Sequence, residues 1–253
     1  MDFLIPDWPA PAHVQARVTT RRGGMSAAPY ASLNLGDHVG DDPAAVAANR
    51  AQLRRCLPSE PLWLKQVHGS GIVAADLAVG VPEADGSVSR QTDRICAVLT
   101  ADCLPVLFCD RSGTVVAAAH AGWRGLADGV LEAAVRAMAV EPGEILAWLG
   151  PAIGPQAFEV GEEVRQIFMA HDPAAALAFM PGSSGSAGKW LADIYLLARQ
   201  RLARAGVKQV FGGDFCTHTD AERFYSYRRD GMTGRMASLI WLDSSRIITV
   251  LQN

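Results

Sequence analysis

The chain has 253 residues, of which 49% are hydrophobic and 19% charged, with 23 basic and 26 acidic side chains giving a formal charge of -3. That composition excludes a disordered chain, which needs low hydrophobicity and high charge. It also excludes the strongly basic footprint of a nucleic-acid binder. No apolar run approaches the ~20 residues that span a bilayer. The N-terminus MDFLIPDWPAPAH carries acids and prolines where a secretory signal needs a positive start and an apolar core, so the expected location is the cytoplasm.

In chain order, a helix is predicted near Asp42–Leu57. ICAVLT (Ile95–Thr100) and PVLFCD (Pro105–Asp110) are short apolar strand candidates. Asp110-Arg111-Ser112-Gly113 reads as a turn into a strand over Thr114–Ala119. Residues Leu126 to Val140 place Val130, Ala134, Ala137 and Met138 on one helical face. Glu144–Leu149 is a strand, and helices follow over Val160–Ala170 and Leu191–Ala205. Between them PGSSGSAGK (Pro181–Lys189) is a loop; it fails as a phosphate loop because Ser183 stands where the first glycine belongs and Trp190 replaces the Ser or Thr. Ser238–Leu242 and Arg246–Leu251 read as late strands. Strands come in runs with helices irregularly between them. That predicts an α+β fold, a single domain over residues 1–253 with mixed β-sheets flanked by helices.

Five cysteines, odd in number and unevenly spaced, do not form a disulfide framework. Cys96 and Cys109, inside apolar strands, read as inert core thiols. Three segments end an apolar stretch with a ligand residue and a turn: KQVHGS with His68, TADCLP with Cys103, and AAHAGWRG with His120. Side chains at neighbouring strand ends can converge at one rim of a sheet. The spacings of 35 and 17 residues are not those of a structural zinc finger. Two imidazoles and one thiolate would leave a coordination position open, the pattern of a catalytic site. A metal-free nucleophile and base, Cys103 with His120, suits the same residues.

The whole chain also resembles the YfiH-type family of bacterial proteins, known as the laccase-domain or polyphenol-oxidase family. The resemblance rests on TRRGGMS (20–26), PYASLNLGDHVGDDP (29–43), QVHG (66–69), TADCLPVLF (100–108), HAGWRG (120–125), WLGPAIGP (148–155) and FYSYRRDGMTGRMA (224–237). It implies one zinc held by His68, Cys103 and His120. It implies phosphorolysis of adenosine, inosine, guanosine and methylthioadenosine with inorganic phosphate, and deamination of adenosine. The partners implied are therefore nucleosides and phosphate; no protein partner, nucleic acid or membrane is expected. An editing role on peptidoglycan precursors, with Cys103 and His120 as a cysteine hydrolase, is the alternative reading.

A multicopper oxidase needs about ten histidines, mostly in His-x-His pairs. This chain has six and no such pair, so laccase chemistry through a copper cluster is excluded. Copper is expected at most as an adventitious substitute for zinc. The His-x-Glu of well-known zinc deaminases is absent too, which leaves Asp85 or Asp102 as the proton shuttle. Among arginines suited to phosphate, Arg21 leads because Gly23 and Gly24 would add backbone N–H donors. Arg124 and Arg228 are further substrate-binding candidates, and Asn34 and His38 are assigned to the base or ribose pocket.

Overall fold

The computed structural model describes residues 1–182 and 188–246. Its strands are β1 (Phe3–Leu4), β2 (Val14–Thr19), β3 (Ile72–Ala74), β4 (Gly86–Ser89), β5 (Cys96–Thr100), β6 (Leu104–Asp110) and β7 (Val116–Ala121). They continue with β8 (Ile145–Leu149), β9 (Glu159–Gly161), β10 (Phe179–Pro181), β11 (Lys189–Ala192), β12 (Gln209–Gly212) and β13 (Met236–Leu242). The helices are α1 (Pro43–Arg54), α2 (Trp123–Ala127), α3 (Val130–Met138), α4 (Glu162–His171), α5 (Ile194–Arg204) and α6 (Tyr227–Asp230).

The strands form a six-stranded sheet in the order β12-β8-β6-β7-β4-β3, a four-stranded sheet β1-β2-β13-β5 and a small sheet β10-β11-β9. The six-stranded sheet is mixed: its two outer pairs are parallel and its inner pairs antiparallel. The chain has the α+β architecture expected, and the period of the strands shows how its layers stack. On β6, Leu104, Val106 and Phe108 join a core with α3, α4 and α5, whereas Leu107 and Cys109 pack toward Val98 and Ile240 of the four-stranded sheet. The other face of that smaller sheet, through Ala97, Leu239 and Trp241, covers Leu33, Leu35 and Leu53 of α1. The order is thus α1 and its loop, sheet, sheet, helices. Strands buried on both faces carry no alternation, which is why Ile95–Leu99 and Ile145–Leu149 are apolar throughout.

Several predicted boundaries move for identifiable reasons. The strand expected at Thr114 begins at Val116, because the Asp110 carboxylate takes the amides of Thr114 and Val115 and the Thr114 hydroxyl. The single helix expected over 126–140 is two, divided at Gly129, whose φ of +90° suits a residue without a Cβ. Val160 and Leu191, expected to begin helices, instead pair in the small sheet, where Val160 faces Trp190 and Leu191 faces Glu159. Helix α1 starts as expected, with Pro43 at its first turn and Asp42 accepting from the Ala44 amide. The strand expected at Arg246–Leu251 falls outside the described residues beyond Arg246, and so does most of the loop within Pro181–Lys189. Among the described residues no helix is long and apolar enough to cross a membrane.

Candidate metal centre and cavity

Strand order builds the site. In the six-stranded sheet β7 lies between β4 and β6, and its last turn of ladder sets His120 beside Asp85 on one side and Pro105 on the other. Cys103 immediately precedes β6, in the short link by which the chain crosses from the four-stranded sheet into the six-stranded one. The same rim therefore receives His120 and Cys103 from adjacent strands.

His68 arrives from a loop pinned on two sides. The Gln66 side chain accepts from the Leu99 amide at 2.7 Å and donates to the Leu99 carbonyl at 2.8 Å, as a strand partner would. The fully buried Asp85 carboxylate accepts from the amides of Val67, His68 and Gly69 at 3.3, 2.9 and 2.7 Å. These bonds hold His68 at a φ of +61°, a backbone conformation uncommon outside glycine. Two glycines of HAGWRG leave the space required. A Cβ on Gly122 would lie 3.0 Å from both Cys103 Sγ and His68 Cδ2, and one on Gly125 would lie 2.6 Å from the Gly69 carbonyl oxygen.

The ligand atoms of His68, Cys103 and His120 lie within 4.8 Å of one another, with Cys103 Sγ 3.9 Å from His68 Nε2. Tetrahedral zinc, with bonds of ~2.0–2.3 Å, separates its ligand atoms by roughly 3.3–3.8 Å, so the cluster needs only a slight contraction. His120 Nδ1 is hydrogen-bonded to Asp85 at 2.8 Å, which fixes Nε2 as the free ligand atom. The donor set therefore fits a borderline divalent metal such as zinc. Burial alone would push the Cys103 thiol up, but His120 and His68 beside it hold it down, to about 6. Burial would lower His120, and the Cys103 and Asp85 charges instead raise it to about 9. For Asp85 the opposition is of the same kind: burial raises it, and the His120 and Gly69 hydrogen bonds bring it below the usual carboxylate range.

All three cluster residues line a cavity of about 520 Å³, within the ~300–1,000 Å³ range of small-molecule sites. Its apolar surface includes Leu99, Trp123, Ile153, Phe158 and Tyr227. His38, Arg124 and Arg228 are on the wall as well. Arg124 stacks on Trp123 at 4.4 Å, and Arg228 donates to the Glu159 carbonyl at 2.8 Å.

Four expected positions are engaged by other groups. The Arg21 guanidinium donates to the carbonyls of Ala31 and Ala221 at 3.1 Å each and stacks on Tyr225, away from the cavity lining. Asn34 is fully buried, and its side chain ties Gly36, Asp41 and the Arg235 amide together behind the wall. Asp85 sits behind His120 with its carboxylate fully engaged, which suits orienting a ligand and not shuttling protons in the cavity. Asp102, at a φ of +83°, accepts from the Thr217 hydroxyl and the Arg228 amide, both at 2.6 Å. Arg235, Gln66 and Tyr227 are at the wall and were not among the expected site residues. QVHG contains one of them. The other two lie in FYSYRRDGMTGRMA (224–237), and the pairing of β13 with β5 brings Arg235 to the wall.

The structure is thus a mixed-sheet protein whose His2Cys cluster, a candidate metal site, opens on an arginine-lined cavity. The family described as "Multi-copper polyphenol oxidoreductase laccase" matches residues 15–243, and the chain belongs to this YfiH-type, laccase-domain family. The chain is 60% identical over 240 residues to "Purine nucleoside phosphorylase PA4543" of Pseudomonas aeruginosa, covering 95% of this chain and 98% of that protein. It is 58% identical over 246 residues to "Purine nucleoside phosphorylase YfiH" of Escherichia coli K12, with the same coverage. The crystal structure of Neisseria meningitidis protein NMB0706 superposes with a TM-score of 0.92 at 55% identity, over 96% of this chain and all of that one. YlmD from Geobacillus stearothermophilus gives 0.86 at 33% identity, over 94% of each chain.

Proposed function

We propose that this chain is a zinc-dependent purine nucleoside phosphorylase that also deaminates adenosine. The observation that carries the reading is the convergence of His68, Cys103 and His120 on a cavity of nucleoside size whose wall mixes aromatic and arginine side chains. The names of the two relatives at about 60% identity support it. Adenosine, inosine, guanosine and methylthioadenosine are the substrates, with inorganic phosphate. A phosphate oxygen forms a bond to C1′ as the C1′–N9 bond breaks; the electron pair leaves with the purine, which takes up a proton. The products are ribose 1-phosphate (5-methylthioribose 1-phosphate from methylthioadenosine) and the free base. In deamination, water adds at C6 of adenosine and ammonia leaves, giving inosine.

His68, Cys103 and His120 would hold the zinc, which would supply Lewis acidity to the reaction. Asp85 orients His120 and the His68 loop, so it acts as a positioning residue. Trp123, Phe158 and Tyr227 offer flat apolar surface to a purine. Arg124 and His38 face the sugar and phosphate end. A cytoplasmic location, where Cys103 stays reduced, completes the reading. Incubating the metal-replete protein with adenosine, with and without phosphate, separates the two activities: adenine reports phosphorolysis and inosine reports deamination. Absence of both products, or activity unchanged in His120→Ala, would overturn the proposal.

One arrangement favours a second reading. Cys103, His120 and Asp85 are also ordered as nucleophile, base and orienting carboxylate, as a cysteine hydrolase acting on peptidoglycan precursors requires. His68 distinguishes the two, because a hydrolase has no use for a second imidazole at the same sulfur. Inactivation by a chelator, reversed by zinc, supports the phosphorylase; activity insensitive to the chelator supports the hydrolase.

A further inference from the structure

The cavity carries more positive charge than a neutral nucleoside can use. Arg124, Arg228 and Arg235 all line it, and none is paired with a carboxylate among the described residues. The lining includes one carboxylate, Asp102, already engaged by Thr217 and by the Arg228 amide. Arg124 and Arg228 are exposed to water, which compensates their charge. Arg235 is only half-buried, so water compensates its charge less than theirs and it gains more from a bound anion.

Arg235 is also held in place at its root. Its amide donates to Asn34 Oδ1 at 2.9 Å and its carbonyl accepts from the Leu35 amide at 3.2 Å. Gly36 lies so close that a Cβ there would be 2.8 Å from Arg235 Cγ. The pairing of Met236 with Thr100 sets Arg235 at the end of β13 beside the loop that carries Cys103. Nη1 donates to the carbonyls of Thr233 and Gly234 at 2.9 and 3.0 Å. Nε and Nη2 have no hydrogen-bond partner among the described residues, which leaves two donors of a planar fork for an oxyanion.

We infer that Arg235 is the main anchor of the phosphate co-substrate, with Arg124 and Arg228 forming the positive mouth above it. The inference deepens the phosphorylase reading and rests on it for the identity of the anion. A phosphate seated there keeps an oxygen available to attack C1′ while its other oxygens are held by the fork.

The test is calorimetric titration of zinc-loaded protein with inorganic phosphate, together with the phosphate dependence of inosine cleavage. Wild type is compared with Arg235→Met, Arg235→Lys and a control, Arg22→Met, which removes an exposed ion pair with Glu222 and a hydrogen bond to its carbonyl. Losing charge-assisted hydrogen bonds should raise the phosphate Kd and KM by about tenfold to a hundredfold in Arg235→Met, with the KM for inosine near wild type. Arg235→Lys, which keeps the charge but loses the fork, should fall between and covers the case in which Arg235→Met does not fold. An unchanged phosphate affinity in both variants, or no phosphate binding by wild type, overturns the inference. If wild type cleaves inosine and the variants keep its phosphate KM, the anchor is wrong and the phosphorylase reading stands. If phosphate binds through Arg235 but no nucleoside is cleaved, the anion site stands and the phosphorylase reading fails.

Discussion

At the scale of single residues, the site depends on groups that touch the ligand cluster from behind. Asp85 satisfies three loop amides and one imidazole N–H at once. Asp85→Asn replaces an acceptor oxygen by a donor, so at least one of those N–H groups loses its partner. Zinc affinity is expected to fall by about 10- to 100-fold, measured by competition with a chromophoric chelator. Gly122→Ala is a sharper test of crowding: its methyl would press on Cys103 Sγ and His68 Cδ2. It should lower zinc content at purification while leaving the circular-dichroism spectrum unchanged; full zinc occupancy would contradict the packing described. His68, Cys103 and His120 were readable as candidate metal ligands because each ends an apolar run with a turn. Spacings of 35 and 17 residues match no local motif, so their approach to within 4.8 Å of one another is visible only in the fold. The absence of a His-x-Glu pair left Asp85 or Asp102 as the expected proton shuttle. The actual partners of Asp85 come from β7 and the His68 loop, contacts that exist only after the sheet forms.

At the scale of elements, the division between α2 and α3 illustrates what periodicity misses. Val130, Ala134 and Met138 are buried as the helical pattern predicts, but apolar spacing does not report the break at Gly129. Its φ of +90°, with Arg201 3.3 Å from a would-be Cβ, makes substitution costly. Gly129→Ala should destabilise the fold by about 1 kcal/mol or somewhat more, read as a lower midpoint in denaturant at unchanged zinc content. A variant as stable as wild type would contradict the left-handed geometry. The long apolar strands were legible because burial on both faces leaves continuous runs. The three-residue strands β9 and β10 were not, because so short a run carries no period.

At the scale of the molecule, two packed sheets place Cys96 and Cys109 in the core between them, while Cys103 opens on the cavity. Burial pushes the Cys96 thiol up to about 12 and raises Cys109 further. In folded protein stripped of metal, a thiol reagent should therefore modify Cys103 and spare Cys96 and Cys109, and added zinc should protect Cys103. Peptide mapping that finds Cys96 or Cys109 modified before unfolding would contradict the layer order. The layers put the His68–Cys103–His120 cluster and three arginines around one cavity, and the proposed reaction needs both.

Phosphorolysis by this chain can be followed as hypoxanthine release from inosine with zinc-loaded protein while phosphate is raised from zero. No release is expected without phosphate, with a rate that saturates as phosphate increases and one ribose 1-phosphate for each hypoxanthine. Hypoxanthine formed at a rate indifferent to phosphate, or no hypoxanthine at any concentration, would contradict that expectation.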